Sequence, residues 1–335
     1  MKHLFFSLLL ISVLVSCGDK KNNRVELKPT VENIDSLLTL YPDSIPLLLF
    51  RGENAANNYD FYAALNDGAR AYRLDSMNTK VRMLYANALN NKENRTIEEV
   101  MMAQNHFHFI ISKEPKNTDA LIALASSYRY LKDVDNAFKY VNQALKIDDK
   151  KREAYALKGS IYMDLEKYEL AKSSYETAVQ QDPKYYEAYL HLAILYHKEN
   201  NPICLEYYQT AYELNPNDPE FLYSYAFAQE YFGKIEDSKT SYRKLARSSD
   251  KYYQARGNFH LGHIKQRIEN QIDSAIFFYS AAIDKQFDYV EAYHNRGMCY
   301  ELKGFKQDAR QEYLTALKYD DKFQLSMDAY LKIAK

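Results

Sequence analysis

The sequence predicts an all-α fold, a solenoid of about eight helix-turn-helix repeats. Small and aromatic residues recur with a period of ~34 residues, and the residues between them have the apolar spacing of amphipathic helices. With only 9 Gly and 8 Pro in 335 residues, the chain has few of the turns that a many-stranded sheet needs. The 32 tyrosines suit half-buried helix surfaces, where the ring packs and the hydroxyl stays hydrated.

The amino-terminal segment, residues 1–16, is typical of a secretion signal. Lys2 and His3 precede an apolar stretch, 4–15, that is short for a membrane span. The following Leu14-Val15-Ser16-Cys17 resembles the lipobox of bacterial lipoproteins. That resemblance implies cleavage before Cys17 and acylation of its thiol and amine by chains such as palmitate. The alternative is a cleaved secretory leader in which Cys17 is incidental.

Residues 17–30 are predicted to form a flexible polar tether between the lipid and the fold. Position 18 is Gly rather than Asp, which by resemblance to Gram-negative sorting signals implies the outer membrane. No acidic run follows Cys17, and such runs mark surface export in some Bacteroidetes-like lipoproteins. We therefore expect a lipid-anchored protein on the periplasmic face of the outer membrane.

The repeat itself is clearest in three predicted units, and the same types of residue occupy the same slots in each. The slots are filled by Tyr155, Gly159, Tyr162, Ala171, Tyr175, Ala178 and Pro183; by Tyr293, Gly297, Tyr300, Ala309, Tyr313 and Ala316; and by Leu121, Ala125, Tyr128, Ala137, Val141 and Ala144. This pattern resembles the tetratricopeptide repeat (TPR). The resemblance implies paired antiparallel helices stacked into a right-handed superhelix.

Extending this frame gives one domain, 31–335, in which a helix at 31–41 precedes the repeats and another at 324–335 closes them. The predicted repeats are about 45–78, 79–117, 118–151, 152–185, 186–218, 219–254, 255–289 and 290–323. The second repeat has extra residues at 91–95, and the seventh fits the pattern least well. Pro115, Pro183 and Pro216 are expected to end second helices because proline cannot continue the hydrogen-bond ladder.

In the TPR family the first helix of each pair lines a concave groove, so the resemblance implies a set of groove residues. They are Arg129, Met163, Leu190, Ile194, His197, Tyr223, Phe227, Glu230, Phe259, His263, His294 and Met298. Their apolar members form a run typical of a binding surface. The alternative is that the superhelix, the next repeat or a second copy of the chain covers them. The Lys and Asn pairs that clamp a chaperone carboxylate in related grooves are absent.

The sequence contains no motif that predicts catalysis, a cofactor or a metal site. His260 and His263 could share a helix face, but a zinc site would need a third ligand, so we interpret them as groove or surface histidines. No acid–base pair with a usefully shifted environment is evident. The net charge of -1 disfavours nucleic acid as a partner. Cys204 and Cys299 lie at apolar helix positions and are expected to be buried free thiols.

These observations favour a non-enzymatic scaffold that binds envelope proteins or peptide segments in the groove. Self-association of the chain stays open. The first alternative is a nutrient (glycan)-binding lipoprotein that partners an outer-membrane transporter, although repeats fill the chain after residue 44 and tryptophan, a common sugar platform, is absent. A hydrolase that uses His260 and His263 is the least favoured alternative.

Overall fold

The computed structural model describes residues 28–333, which form eighteen α-helices and no β-strand. The predicted signal sequence, Cys17 and most of the tether lie outside the described residues. The chain divides after Leu165 into two compact units. Among the described helices, none combines the length and the apolar character that a bilayer crossing requires. The predicted all-α class is therefore confirmed.

The first unit contains the lone first helix, three complete helix pairs and the first helix of the fourth pair. Its helices are α1 (Ile34–Leu40), α2 (Ile45–Asn57), α3 (Phe61–Leu74), α4 (Thr79–Asn91), α5 (Ile97–Lys113), α6 (Thr118–Tyr130), α7 (Val134–Ile147) and α8 (Arg152–Asp164).

The second unit begins with the second helix of the fourth pair and ends with the closing helix. Its helices are α9 (Tyr168–Gln181), α10 (Tyr186–Lys198), α11 (Cys204–Leu214), α12 (Pro219–Tyr231), α13 (Ile235–Leu245), α14 (Lys251–Arg267), α15 (Ile272–Lys285), α16 (Val290–Leu302), α17 (Lys306–Tyr319) and α18 (Gln324–Ile333).

Small residues bring the two helices of a pair together, as the repeat pattern predicts. In the eighth pair, a Cβ atom added to Gly297 would lie 2.7 Å from the ring of Tyr313, which is fully buried in α17. In the third pair, Ala125 and Ala137 are likewise fully buried in the core between α6 and α7. Larger side chains at these positions would hold the helix axes apart.

Each turn between the two helices of a repeat contains one residue with left-handed backbone. The φ angle is positive at Tyr59, Asn94, Lys132, Glu166, Asn200, Gly233, Asn270 and Gly304. This backbone geometry ends the first helix and reverses the direction of the chain within a short turn. Only two of these positions hold glycine, the residue that adopts this conformation at no steric cost.

Most helix ends agree with the helix-ending residues identified in the sequence. The helices α5, α9 and α11 end one residue before the acidic or amide residue that precedes Pro115, Pro183 and Pro216. The seventh repeat differs from its predicted limits, because α14 begins at Lys251 and runs through the expected boundary at 254/255. Asp250 caps this longer helix, its side chain accepting a hydrogen bond from the backbone N–H of Tyr252.

Candidate partner-binding face of the second unit

In the second unit, the first helices of the sixth, seventh and eighth pairs touch each other in succession. Besides packing against its own partner, α14 contacts α12 on one side and α16 on the other. Side chains that α12 and α14 direct toward each other therefore lie next to one another across repeats. We call the surface formed by the predicted groove residues of α10, α12, α14 and α16 the helix-A face.

The exposed apolar part of the helix-A face is smaller than the sequence predicts. Ile194 is 40% exposed and Phe227 is 44% exposed, so both present apolar surface to solvent. Leu190 instead packs against the core cluster around Ala193 and Tyr208. Phe259 packs between Tyr279 and Tyr289, with ring centroids 5.7 and 5.0 Å away. Among the predicted apolar groove residues of the second unit, Ile194 and Phe227 are thus the ones that remain exposed.

Glu230 is the centre of a polar network that joins the sixth and seventh repeats. Its carboxylate lies 3.0 Å from Nδ1 of His260 and 3.0 Å from Nδ1 of His263. The hydroxyl of Tyr242 donates to the same carboxylate over 2.8 Å. The other ring nitrogen of His260, Nε2, lies 3.2 Å from the hydroxyl of Tyr223. Three predicted groove residues, Tyr223, Glu230 and His263, therefore belong to one network with His260.

The side chains around Glu230 favour its charged form. Burial alone would raise the pKa of this carboxyl, but the hydrogen bonds from His260 and His263, the charge of His260 and the Tyr242 hydroxyl together lower it to about 2. The pKa of the Tyr242 hydroxyl shifts in the opposite direction, because burial and the adjacent carboxylate raise it. Sequence reasoning did not anticipate this shift, although a lowered pKa makes Glu230 a weaker base than an ordinary carboxylate.

His260 itself is buried rather than lying on an open surface, which corrects the sequence interpretation. It is 9% exposed, and its ring stacks on that of Tyr242 with centroids 4.6 Å apart and an interplanar angle of 5°. Both of its ring nitrogens are occupied by Glu230 and Tyr223. Over residues 28–333, no three His, Cys, Asp or Glu side chains are grouped so that they could hold a metal ion.

A tyrosine of the second helix contacts a polar residue in the last turns of the first helix in four successive repeats. In the sixth, the pair is Tyr242 and Glu230, as above. The others are His197 and Tyr208 at 3.5 Å, Gln266 and Tyr279 at 2.7 Å, and Glu301 and Tyr313 at 3.0 Å. Sequence reasoning assigned His197 and Glu230 to the groove and missed this pairing, although the regular recurrence of the tyrosines was its signal.

Two further groove residues of the second unit have different surroundings. His294 is 8% exposed, and its Nδ1 lies 3.0 Å from the hydroxyl of Ser326 in α18. The expectation that His294 lines an open groove is therefore wrong, because the closing helix covers it. Burial, assisted by the charge of Arg267, lowers its pKa. Met298, one turn further along α16, is half-buried.

The two predicted groove residues of the first unit are engaged or partly covered within that unit. The guanidinium of Arg129 pairs with both carboxylate oxygens of Asp164, at 2.6 and 3.0 Å. This pair links α6 to α8, and it satisfies the charge that Arg129 was predicted to offer a partner. Met163 is half-buried in the last turn of α8.

The sequence expectation for the two cysteines is confirmed. Cys204 and Cys299 are both free and buried, each within the core of its repeat. Burial raises the pKa of the Cys204 thiol to about 11 and that of Cys299 to about 12. Neither thiol therefore has the thiolate character of a nucleophile.

Paired helices that cross at small residues, and first helices that adjoin, define a TPR-type α-solenoid. Sequence comparison agrees, since residues 118–151 and 290–323 match the model described as "Tetratricopeptide repeat" and residues 159–200 match a second TPR model. The chain therefore contains tetratricopeptide repeats. The structure extends the same helical pattern to the segments between these matches.

Several known proteins are similar to this chain in sequence or in fold. Anaphase-promoting complex subunit 3 of Schizosaccharomyces pombe is 28% identical over 112 residues, which are 33% of this chain and 17% of that protein. The match therefore spans less than a fifth of that relative's length.

Two solved structures are similar in fold. The Cut9–Hcn1 hetero-tetramer of APC/C has 17% identity and a TM-score of 0.55, covering 91% of this chain and 59% of that one. An IFIT1 monomeric mutant with Gppp-AAAA has 12% identity and a TM-score of 0.58, covering 86% and 75%. At these identities the likeness shows the fold alone.

Proposed function

We propose that this protein is a non-enzymatic scaffold that binds segments of other proteins on the helix-A face of its second unit. The observation that carries the proposal is the exposure of Ile194 and Phe227 on adjacent first helices. Beside them, Tyr231 is 57% exposed and His197 lies 4.9 Å from its ring. Aromatic and aliphatic side chains grouped on a rigid face are the usual anchors of protein–protein interfaces.

The tetratricopeptide repeats support this class of function. A solenoid buries one side of each helix against its neighbours and leaves an extended face available, which suits recognition of another chain. The Glu230 network fixes α12 against α14 and thereby holds Phe227 in place, since the rings of Phe227 and His260 lie 5.9 Å apart. A face that is ordered before binding loses less conformational entropy on association.

We further propose that a lipid on Cys17 holds the scaffold at the periplasmic face of the outer membrane, where its partners would be envelope proteins. The support is the lipobox-like sequence 14–17 and the polar tether that follows it. Two or more acyl chains bind a membrane firmly, at ~0.8 kcal/mol per buried methylene. A Cys17→Ala chain should lose radioactive palmitate and leave the membrane fraction; a variant that still sediments with membranes would exclude this anchor.

The binding function is tested by isolating crosslinked partners from solubilised envelopes. The variant Ile194→Ala with Phe227→Ala should lose specific partners that the unmodified chain retains. The matched control is Phe277→Ala, because Phe277 is 67% exposed but lies on α15, a second helix. An identical set of partners for the double variant would remove the helix-A face from the proposal. A calorimetric titration with oligosaccharides tests the glycan-binding alternative, which saturable binding would favour.

A further inference from the structure

A cleft of about 790 Å³ lies at the carboxyl end of α13, the second helix of the sixth repeat. Its walls are the segment before α12, the last turns of α13 and the connection from α13 to α14. None of the predicted groove residues lines it, so it is a concave surface separate from the helix-A face. Its volume lies in the range of small-molecule sites, which is roughly 300–1,000 Å³.

The early end of α13 provides the space for this cleft. The helix has 11 residues, whereas the second helices of the next two repeats, α15 and α17, have 14 each. A short turn follows it, in which the backbone N–H of Arg247 donates to the carbonyl oxygen of Lys244 over 3.2 Å. The side-chain amide of Gln254 in α14 donates to the backbone carbonyl of Ser248 and fixes the rest of the connection. The wall of the cleft is therefore held by hydrogen bonds.

Basic residues are concentrated on the α13 side of the cleft. Arg243, Lys244 and Arg247 all line it, and their spacing of three and four residues places side chains on one side of a helix. The last turn of α13 holds two basic residues, whereas the last turn of every other second helix in residues 28–333 holds at most one. This concentration is therefore a feature of the sixth repeat and not of the repeat pattern.

The charges of these three residues are not neutralised by acids of the chain. Arg243 and Arg247 are exposed, and neither side chain forms an ion pair or a hydrogen bond within the described part of the chain. Lys244 donates to the hydroxyl of Tyr212, a neutral group, with its Nζ 4.8 Å from the ring centroid. Asp250 also lines the cleft, but its carboxylate caps α14 by accepting from the backbone N–H of Tyr252 over 2.8 Å.

The positive charge exceeds what the end of the helix requires. The carboxyl end of an α-helix carries roughly half a negative charge, which one cation is enough to offset. Three cations outweigh that partial charge and the single charge of Asp250 together. Asp218 and Glu220, at the start of α12, do not line the cleft. The cleft is therefore a concave surface with an excess of positive charge, which favours an anion.

The donors around the cleft suit a phosphate group. The N–H fork of an arginine matches two oxygens of a phosphate, and a lysine adds a further charged donor. Asn217 and Ser249 line the same cleft with neutral donors, so the groups present can reach several oxygens of one anion. A carboxylate has two oxygens and one charge, whereas a phosphate monoester carries nearly two charges and three terminal oxygens.

We propose that this cleft binds a phosphate ester through Arg243, Lys244 and Arg247. The phosphate belongs either to a small soluble molecule or to the headgroup of a phospholipid, and both present the same anion to the three cations. This site is independent of the helix-A face, so a partner protein and the phosphate ester could be bound at the same time.

The test uses the Cys17→Ala chain, in which no acyl group on Cys17 can contribute to membrane binding. Isothermal titration calorimetry measures binding of inorganic phosphate and glycerol 3-phosphate. Flotation measures binding to vesicles of phosphatidylcholine with and without phosphatidylglycerol. Arg243→Gln combined with Arg247→Gln should weaken binding roughly tenfold or more, because it removes two charge-assisted contacts. Binding of glycerol 3-phosphate alone identifies a soluble ligand, and flotation that requires phosphatidylglycerol identifies a headgroup.

The matched control is Arg73→Gln combined with Lys146→Gln. Both residues are exposed in the last turns of second helices, so this variant loses the same charge away from the cleft and should bind as the Cys17→Ala chain does. Circular dichroism checks that both variants keep their helices. An equal loss in the two variants would attribute binding to net charge and overturn the site. The proposal would also fail if neither phosphate compound bound at millimolar concentration and no vesicle retained the protein.

Discussion

Nδ1 of His260 lies 3.0 Å from a carboxylate oxygen of Glu230, although the two residues are thirty positions apart in different repeats. The same carboxylate receives the hydroxyl of Tyr242, so one acid connects α12, α13 and α14. This contact joins the sixth and seventh repeats through a shared polar network, and Phe227 lies at the edge of that network. Its consequences for stability are directly measurable.

We predict that Glu230→Gln lowers the free energy of unfolding by about 2 kcal/mol at neutral pH, because a neutral amide binds the ring nitrogens of His260 and His263 more weakly than the carboxylate does. The measurement is chemical denaturation followed by far-ultraviolet circular dichroism. Glu291→Gln, at an exposed position on α16, serves as the control and should change stability little. Equal effects of the two substitutions would contradict the role assigned to the network.

The difference between the unmodified protein and Glu230→Gln should depend on pH in a defined direction. The folded pKa of Glu230, about 2, lies below the ordinary value of ~4.3 for an unfolded chain. A lowered pKa stabilises the fold above the unfolded value, and that stabilisation is lost as the pH falls from ~4 toward 2. We therefore expect the two stability curves to converge in that interval. A constant difference down to pH ~2 would contradict the assignment.

We predict that Gly297→Ala destabilises the protein, although alanine is the better helix former by about 1 kcal/mol. The new methyl group would lie 2.7 Å from the ring of Tyr313, which cannot move because it is fully buried. Overpacking of this kind typically costs about 1–3 kcal/mol. Thermal unfolding measures the effect, and a raised melting temperature would mean that helix propensity outweighs the steric conflict.

The left-handed turn residues predict opposite effects for two substitutions. Lys132 has φ of 61°, so Lys132→Gly removes backbone strain and should stabilise the protein by up to about 1 kcal/mol. Gly233 has φ of 74° with open space around it, so Gly233→Ala introduces strain without a clash and should destabilise by a similar amount. Denaturation midpoints measure both changes, and changes of the same sign would refute the explanation.

Cys204 and Cys299 should be unreactive in the folded protein. Burial raises their pKa values to about 11 and about 12, which leaves little thiolate at neutral pH and no access for reagent. In a Cys17→Ala chain, a colorimetric disulfide reagent should detect neither thiol until denaturant is added and both afterwards. Rapid labelling under native conditions would show that one of these core regions opens.

Much of the fold could be predicted from the sequence because the spacing of nearby residues determines where helices form and which side they bury. The spacing of Tyr293, Gly297 and Tyr300 predicts which side of α16 faces its partner, and Gly297 is indeed buried against Tyr313. Proline likewise predicts where second helices end. The start of α14 at Lys251 was missed because Asp250 caps the helix earlier than the repeat period requires.

The sequence by itself determined the all-α repeat fold, the slots of the small residues and the buried state of both cysteines. Only the tertiary structure decided which residues of the first helices remain open, because that depends on side chains from other repeats. The ring of His294 is covered by Ser326, and the carboxylate of Glu230 is bound by His260. Periodicity fixes which side of a helix faces inward, whereas contacts between repeats depend on how neighbouring helices cross and where their long side chains reach.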